Sequence, residues 1–218
     1  MMAEDKLQKR SEIEFEKDPW NMIIAGVGGQ GNVLASQILG QMLVTREYFV
    51  TIGETYGLSQ RGGSVMSHLR ISRRDQFSPL IPKGKCDFVM GLEPTEALRV
   101  LRQFGNPDVH MLINTRPIYP MDVIAGDAVY PEVGTVLEKI HGLSRTVWTI
   151  NATDIALEMG DPIYSNMVML GALSGLEMLP MDRPGFQEAV QDLLPSKRLT
   201  SNLDAFDRGK EAVREHTV

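Results

Sequence analysis

Apolar positions along the chain fall into two periods. Short apolar runs at residues 22–25, 49–52, 87–92, 109–113 and 146–150 have the length and content of strands. Two of them, 87–92 and 109–113, are nearly apolar throughout, as expected of strands covered on both faces. Residues 65–71 instead alternate, with Val65, Leu69 and Ile71 set against Met66, His68 and Arg70, which predicts a half-buried strand. Between the runs the period becomes helical. Leu34, Ile38 and Met42, flanked by Leu39 and Leu43, predict an apolar helix face from Gly31 to about Glu47. Pro94, tolerated in a first turn, opens a helix reaching about Phe104. Further helices are expected at 131–141, from the capping group Asn151, Ala152, Thr153, Asp154 to Met159, at 163–179 and at 184–194. Residues 118–130, bounded by Pro117 and Pro131, read as an extended excursion or a β ribbon. The succession of strand, helix and strand predicts a three-layer α/β domain with a largely parallel, mixed sheet.

Three regions follow from this pattern. Residues 1–18 form a polar N-terminal extension, either unstructured or laid on a partner. Residues 19–195 form the domain. Residues 196–218 form a charged C-terminal helical tail around Leu203, Phe206 and Val213; it reads as a solvated terminal helix, and the other reading is a clasp on a partner subunit. The helix at 163–179 contains Gly171, Ala172, Ser174 and Gly175, small residues that permit close backbone approach, so it is either a central core helix or a subunit contact.

Composition removes several function classes. A net charge of −6 without a basic cluster argues against a nucleic-acid partner. No run approaches the roughly 18 apolar residues of a membrane helix, and the N-terminus has no apolar signal core, so a cytoplasmic protein is expected. A single cysteine, Cys86, gives neither an internal disulfide nor a cluster ligated by several cysteines of this chain, and reads as a small buried thiol. His68, His110, His141 and His216 lack the spacing of a metal site, and no metal is expected here.

Candidate chemistry begins at Gly26, Val27, Gly28, Gly29, Gln30 and Gly31, between the first strand and the first helix. Glycine permits positive φ and close approach, and a helix starting there offers free N–H groups to an anion. The spacing matches G-x-G-x-x-G, and Glu54 stands where a ribose-binding acid would be in an independent NAD- or FAD-binding oxidoreductase. Residues 53–64, read as an exposed functional loop, have no role in that scheme. No G-x-S-x-G elbow supports a hydrolase. Arg116, after Asn114 and Thr115 at a strand's C-terminal end, would bind an anion or join a surface ion pair.

Longer stretches point further. The glycine turn, then Tyr56, Gly57, Leu58, Ser59, Gln60, Arg61, Gly62, Gly63, Ser64, Val65, Met66, Ser67 and His68, then Ser78, Pro79, Leu80, Ile81 and Pro82, together resemble the gamma-type domain of 2-oxoacid:ferredoxin oxidoreductases. The match runs over about residues 20–195, through Asn114 and Thr115, Asn151 to Thr153, and Asn166 to Gly171, and within the family is most like the beta subunit of the indolepyruvate type. The resemblance implies a fold like domain III of pyruvate:ferredoxin oxidoreductase. It implies an enzyme that decarboxylates a 2-oxoacid on thiamine diphosphate with Mg2+, passes two electrons through iron–sulfur clusters to ferredoxin or another acceptor, and releases an acyl-CoA. Those cofactors would belong to a large partner subunit, none being bound by this chain, which would be inactive alone. Glu54, Gln60 and Arg61 are then the candidate catalytic residues. Gly26, Gly28, Gly29, Gln30, Gly31, Arg61, Gly62, Gly63 and Ser64 would face coenzyme A and the substrate, or form an inter-subunit wall. Arg61 offers a fork-shaped cation to a carboxylate or phosphate, with Glu54 and Gln60 holding it or completing the interface. Glu54 and Tyr56 depart from the residues expected in the family, which leaves the 2-oxoacid unassigned.

Overall fold

Six strands form one sheet in the computed structural model, which describes residues 15–57 and 63–215. They are β1 (Trp20–Val27), β2 (Phe49–Tyr56), β3 (Ser64–Ser72), β4 (Phe88–Gly91), β5 (His110–Asn114) and β6 (Thr146–Ile150), ordered β2-β3-β1-β4-β5-β6. β1, β4, β5 and β6 run parallel, while β3 lies antiparallel between β1 and β2. The α/β class with a mixed, mostly parallel sheet is therefore as the hydrophobic pattern predicts.

Eight helices lie around the sheet among the described residues: α1 (Asn32–Val44), α2 (Pro94–Phe104), α3 (Met121–Ala125), α4 (Val133–Leu143), α5 (Ala152–Glu158), α6 (Ser165–Gly175), α7 (Arg183–Leu193) and α8 (Leu199–Glu215). Successive residues of β1 point to opposite faces, so Met22 and Ile24 enter one core with residues of α1, α6, α7 and α8. Ile23 and Ala25 enter the other, with residues of α2 and α4.

Four expectations change. The first concerns 53–64: β2 continues past its apolar run because Gly53, Glu54, Thr55 and Tyr56 pair with His68, Ser67, Met66 and Val65. An antiparallel ladder in register supplies backbone partners whatever the side-chain polarity, so only residues 57–63 connect the hairpin. Second, β3 is covered on both faces: His68 is buried along with Leu69 and Ile71. Third, residues 118–130 contain α3 rather than a β ribbon. Pro120 accepts from the Ile124 N–H, and Gly126 at φ 85° ends the turn, the order in which proline and glycine bound helices.

The fourth is the C-terminal helix. α8 is packed, not solvated: Ala205, Phe206 and Val213 are fully buried, and Phe206 stacks on Phe186 with centroids 4.2 Å apart. The reason lies in α6, which is buried from Asn166 to Ser174 and so needs cover on more than one side. α8 provides it. A Cβ on Gly171 would overlap the Phe206 carbonyl, and one on Gly209 the Val168 carbonyl, so the small residues let these two helices meet backbone to backbone. α6 is thus a central core helix.

Candidate functional site

The C-terminal ends of β1, β4, β5 and β6 share one edge. α1 leaves β1 toward one face and α2 leaves β4 toward the other, so a crevice opens between β1 and β4, where ligands bind in open α/β sheets. The glycine turn forms its wall. Gly29 and Gly31 take φ of 103° and 79°, conformations glycine adopts without strain. At Gly26 an added Cβ would meet Gln30 Oε1 at 2.6 Å and Asn32 Oδ1 at 2.9 Å, and at Gly31 it would overlap the Asn166 amide. These glycines make room for the chain's own side chains.

A belt of hydrogen bonds ties the turn to the other strand ends. The Val27 N–H donates to Gln30 Oε1 at 2.7 Å, and Gln30 Nε2 donates to the Leu92 carbonyl after β4 at 2.8 Å. That carbonyl also accepts from Asn114 Nδ2 at 3.1 Å, which reaches Thr153 Oγ1 at 2.9 Å as well. Asn151 caps α5 by accepting from the Asp154 N–H at 3.1 Å, and Asp154 pairs with Arg116 at 3.2 Å. Arg116 thus adopts the ion-pair role and also borders the cavity described below. On the other side Asn32 Nδ2 donates to the Val65 carbonyl at 3.0 Å, and the Gly28 N–H donates to the Gly63 carbonyl at 2.8 Å, joining the turn to the β2–β3 connection.

The structure therefore brings Gly26, Gly28, Gly29, Gln30, Gly31, Gly63 and Ser64 to one edge. Gln60, Arg61 and Gly62 lie outside the described residues. Glu54 is in β2, where its carboxylate accepts from the Tyr56 hydroxyl. Its partner on β3 is Ser67, and Ser67 in turn faces Ile24 of β1. Two strand spacings, roughly 10 Å, separate Glu54 from β1. In a dinucleotide fold the acid ends the strand beside β1, a place taken here by antiparallel β3. With Gly26 also closed by Gln30 and Asn32, the ribose and pyrophosphate scheme lacks its geometry.

Beside the turn lies a cavity of about 1000 Å³. The glycine turn and Arg116 form one side, the first turn of α6 with Ser165 and Asn166 another, and Lys197, Arg198 and Asn202 at the start of α8 a third. Sequence reasoning missed this last group by treating 196–218 as a solvated tail. A signal was present: two cations immediately before a helix oppose its dipole, an arrangement that a bound anion would compensate.

Several other buried polar and titratable groups belong to the core rather than to the cavity. Glu93, fully buried, caps α2 by accepting from the Glu96 N–H at 2.9 Å, and also accepts from Thr95 Oγ1 at 2.6 Å and from the Tyr130 hydroxyl. Burial and then the bond to Glu93 hold the Tyr130 hydroxyl protonated far above its ordinary range. Burial raises the Glu96 carboxyl. Cys86 is fully buried, its thiol pushed up by desolvation, with Sγ 3.0 Å from the Phe88 carbonyl; it packs as a small core residue. Burial pushes His68 down, its ring edge-on to Phe104 at 5.1 Å. Among the described residues no group of His, Cys, Asp and Glu is arranged to hold a metal ion, and no helix is long and apolar enough to cross a membrane.

The sequence pattern of the pyruvate ferredoxin/flavodoxin oxidoreductase family matches residues 21–212. The chain is 37% identical over 189 residues to the indolepyruvate oxidoreductase subunit IorB of Archaeoglobus fulgidus, spanning 87% of this chain and 92% of that protein. Its fold is similar to the gamma subunit of a keto/oxoacid ferredoxin oxidoreductase from Geobacter sulfurreducens PCA, with a TM-score of 0.64 at 22% identity over 90% of this chain and 99% of the other. It is also similar to part of the 2-oxoglutarate:ferredoxin oxidoreductase of Magnetococcus marinus, solved with 2-oxoglutarate, coenzyme A and succinyl-CoA. There the TM-score is 0.69 at 22% identity over 92% of this chain and 32% of that longer one.

Proposed function

This chain belongs to the pyruvate ferredoxin/flavodoxin oxidoreductase family, and from that premise we propose that it is the cluster-free subunit of a 2-oxoacid:ferredoxin oxidoreductase of the indolepyruvate type. The relatives support the class of reaction: a 2-oxoacid, coenzyme A and two oxidised ferredoxins give an acyl-CoA, carbon dioxide, two reduced ferredoxins and a proton. The observation that carries the role of this chain is the hydrogen-bonded belt from Gln30 through Leu92 to Asn114 and Thr153. It stiffens a concave wall that holds no cysteine and, among the described residues, no His, Cys, Asp and Glu group arranged for a metal ion. Cys86, the sole cysteine, is buried in the core, so the residues here do not fit an iron–sulfur cluster. Thiamine diphosphate, Mg2+ and the clusters belong on a large partner subunit. This chain's part is to complete the site from outside, with Gly26 to Gly31 and the 57–63 connection on the side of coenzyme A and the 2-oxoacid.

Arg61 is the candidate to meet a carboxylate or phosphate across that interface, with Gln60 beside it and Glu54 bordering the connection. Purification of the untagged complex tests the whole reading. A brown, thiamine-dependent assembly that oxidises arylpyruvates faster than branched 2-oxoacids in the presence of coenzyme A is expected. A colourless chain that stays alone and binds NAD tightly would overturn it. Within the active complex, Arg61→Ala should reduce turnover while leaving assembly intact, and unchanged kinetics with every 2-oxoacid would remove Arg61 from the site.

A further inference from the structure

We infer that the free edge of β2 is the interface of a two-fold dimer of this chain, in which two copies of β2 pair antiparallel and join their sheets into one. β2 stands at the end of the strand order and pairs with β3 over all 8 of its residues without a bulge. The Gly57 N–H donates to the Ser64 carbonyl at 2.7 Å, which fixes the alternation of the ladder. Phe49, Thr51, Gly53 and Thr55 direct their backbone groups to β3, and Val50, Ile52, Glu54 and Tyr56 turn N–H and C=O outward. Among the described residues none of these four outward residues has another backbone partner. Proteins that keep such an edge unpaired blunt it with lysine, proline or a bulge. β2 has none of these, and Phe49, Tyr56 and, beside it, Leu80 are exposed apolar side chains.

The strand is complementary to itself, which selects a second copy as the occupant. About a two-fold axis at Gly53, Val50 lies opposite Tyr56 and Ile52 opposite Glu54 of the second copy, so every outward residue of both strands enters a hydrogen-bonded pair. An axis at Ile52 or at Glu54 would leave Tyr56 or Val50 without a strand partner. Gly53 then meets Gly53 in a non-hydrogen-bonded pair, where the Cα atoms approach to about 4.5 Å, and no side chain stands between them. Thr51 faces Thr55, a favourable cross-strand pair, and neither hydroxyl has a hydrogen-bond partner among the described residues. Phe49 lies over Gly57, an aromatic ring covering an edge glycine. Pro79 packs on Gly53, where an added Cβ would meet its Cβ at 2.8 Å, so the exposed Leu80 next to it lies by the axis and meets its copy. The two Glu54 carboxylates stand diagonally across the axis on the opposite face, a like-charge contact that salt screens. The axis is on the far side of β2 from β1, so the dimer leaves the crevice between β1 and β4 open, and it does not depend on the reaction proposed above.

Sedimentation velocity of the full chain across a concentration series, with deuterium exchange of its backbone amides, tests the dimer. Reversible dimerisation is expected, with the amides of Val50, Ile52, Glu54 and Tyr56 slowed as the dimer forms. Glu54→Pro removes an outward N–H and no bond to β3, a position where an edge strand tolerates proline. It should weaken the dimer at least tenfold, although it also removes a repulsive charge, and circular dichroism should show the fold retained. Leu80→Lys, which sets like charges beside the axis, should weaken the dimer as well, whereas Glu54→Gln should tighten it. Thr51→Cys combined with Thr55→Cys reads the register directly. Four residues apart on one strand, these positions are about 13 Å from each other and cannot join within a chain, while Cys86 is buried. Mild oxidation should therefore give a covalent dimer. A chain that stays monomeric at every concentration and yields no covalent dimer would overturn the inference. So would a dimer indifferent to both Glu54→Pro and Leu80→Lys, whose interface must lie elsewhere, or β2 amides slowed only when a thiamine-dependent large subunit is added, which would assign the edge to that subunit. None of these measurements reads turnover, so failure here leaves the proposed function standing.

Discussion

Two glycine-rich regions of this protein use the same residue for opposite ends. At α6 and α8, Gly171 and Gly209 lie within helices and are there to be small: each faces the other helix's backbone, and the contact is apolar and closed. At the turn after β1, Gly29 and Gly31 are there for their backbone conformation, and the space beside them opens on a cavity. A glycine facing a backbone carbonyl cannot be relieved by a side chain moving aside. A glycine facing an amide side chain can. The first region should therefore tolerate substitution least, and the second should show its effects in the activity of the complex as much as in stability.

The largest test of that contrast is Gly209→Ala. The new methyl would overlap the Val168 carbonyl, and separating the helices should remove at least about 3 kcal/mol of stability in urea denaturation. A loss below about 1 kcal/mol would break the comparison. Gly31→Ala comes next. Its φ of 79° costs a non-glycine residue about 1–2 kcal/mol, and the Asn166 amide must shift, so a loss of about 2–3 kcal/mol in the same measurement is expected. Gln30→Ala removes the bonds to Val27 and Leu92 and should cost about 1–2 kcal/mol. If the belt matters as proposed, that variant's complex should lose activity out of proportion to its loss of stability.

The smallest effect concerns His68, buried without a hydrogen-bond partner on the strand beside the turn. Burial lowers its pKa in the folded state, so the unfolded chain binds more protons and stability falls as pH drops below the ordinary histidine value of about 6.5. The slope from one such group is at most about 1.4 kcal/mol per pH unit. His68→Leu should flatten the decline between pH 7.5 and 5.5, measured by denaturation at each pH. His110, also lowered chiefly by burial, leaves a residual slope of the same sign. Glu96, raised by burial, has the opposite sign, its contribution being lost as pH rises through its folded value. A variant with an unchanged profile would show that His68 is already solvated in the folded chain.

Much of this was legible along the chain, and the failures have a common cause. β4, β5, β6 and α2 follow from local runs because each is apolar enough, or punctuated sharply enough by Pro94, to declare itself. The second half of β2 did not, since Gly53 to Tyr56 are strand only by virtue of pairing with β3. α8 was misjudged although Phe206 and Val213 were visible as its apolar positions, because its many charges read as a solvated face and nothing local shows that α6 needs cover there. In the site, the glycine turn, Asn114, Asn151 and Asn166 were visible as motifs, whereas Lys197, Arg198 and Asn202 come from more than 160 positions beyond the glycine turn and carry no motif.

The linear order of residues was therefore sufficient for the strand-to-helix turn at Gly26 to Gly31, for the α/β alternation and for the family resemblance, because each depends on neighbours within a few turns or on a string of side chains. Tertiary structure alone decided that β3 lies between β1 and β2, which removes Glu54 from a ribose's reach. It alone decided that α8 folds back over α6 and places Lys197, Arg198 and Asn202 on the cavity beside the glycine turn. The physical reason is the same in both cases: strand order and helix docking are settled by burial and pairing between distant segments, and no local pattern of hydrophobic and polar residues records them.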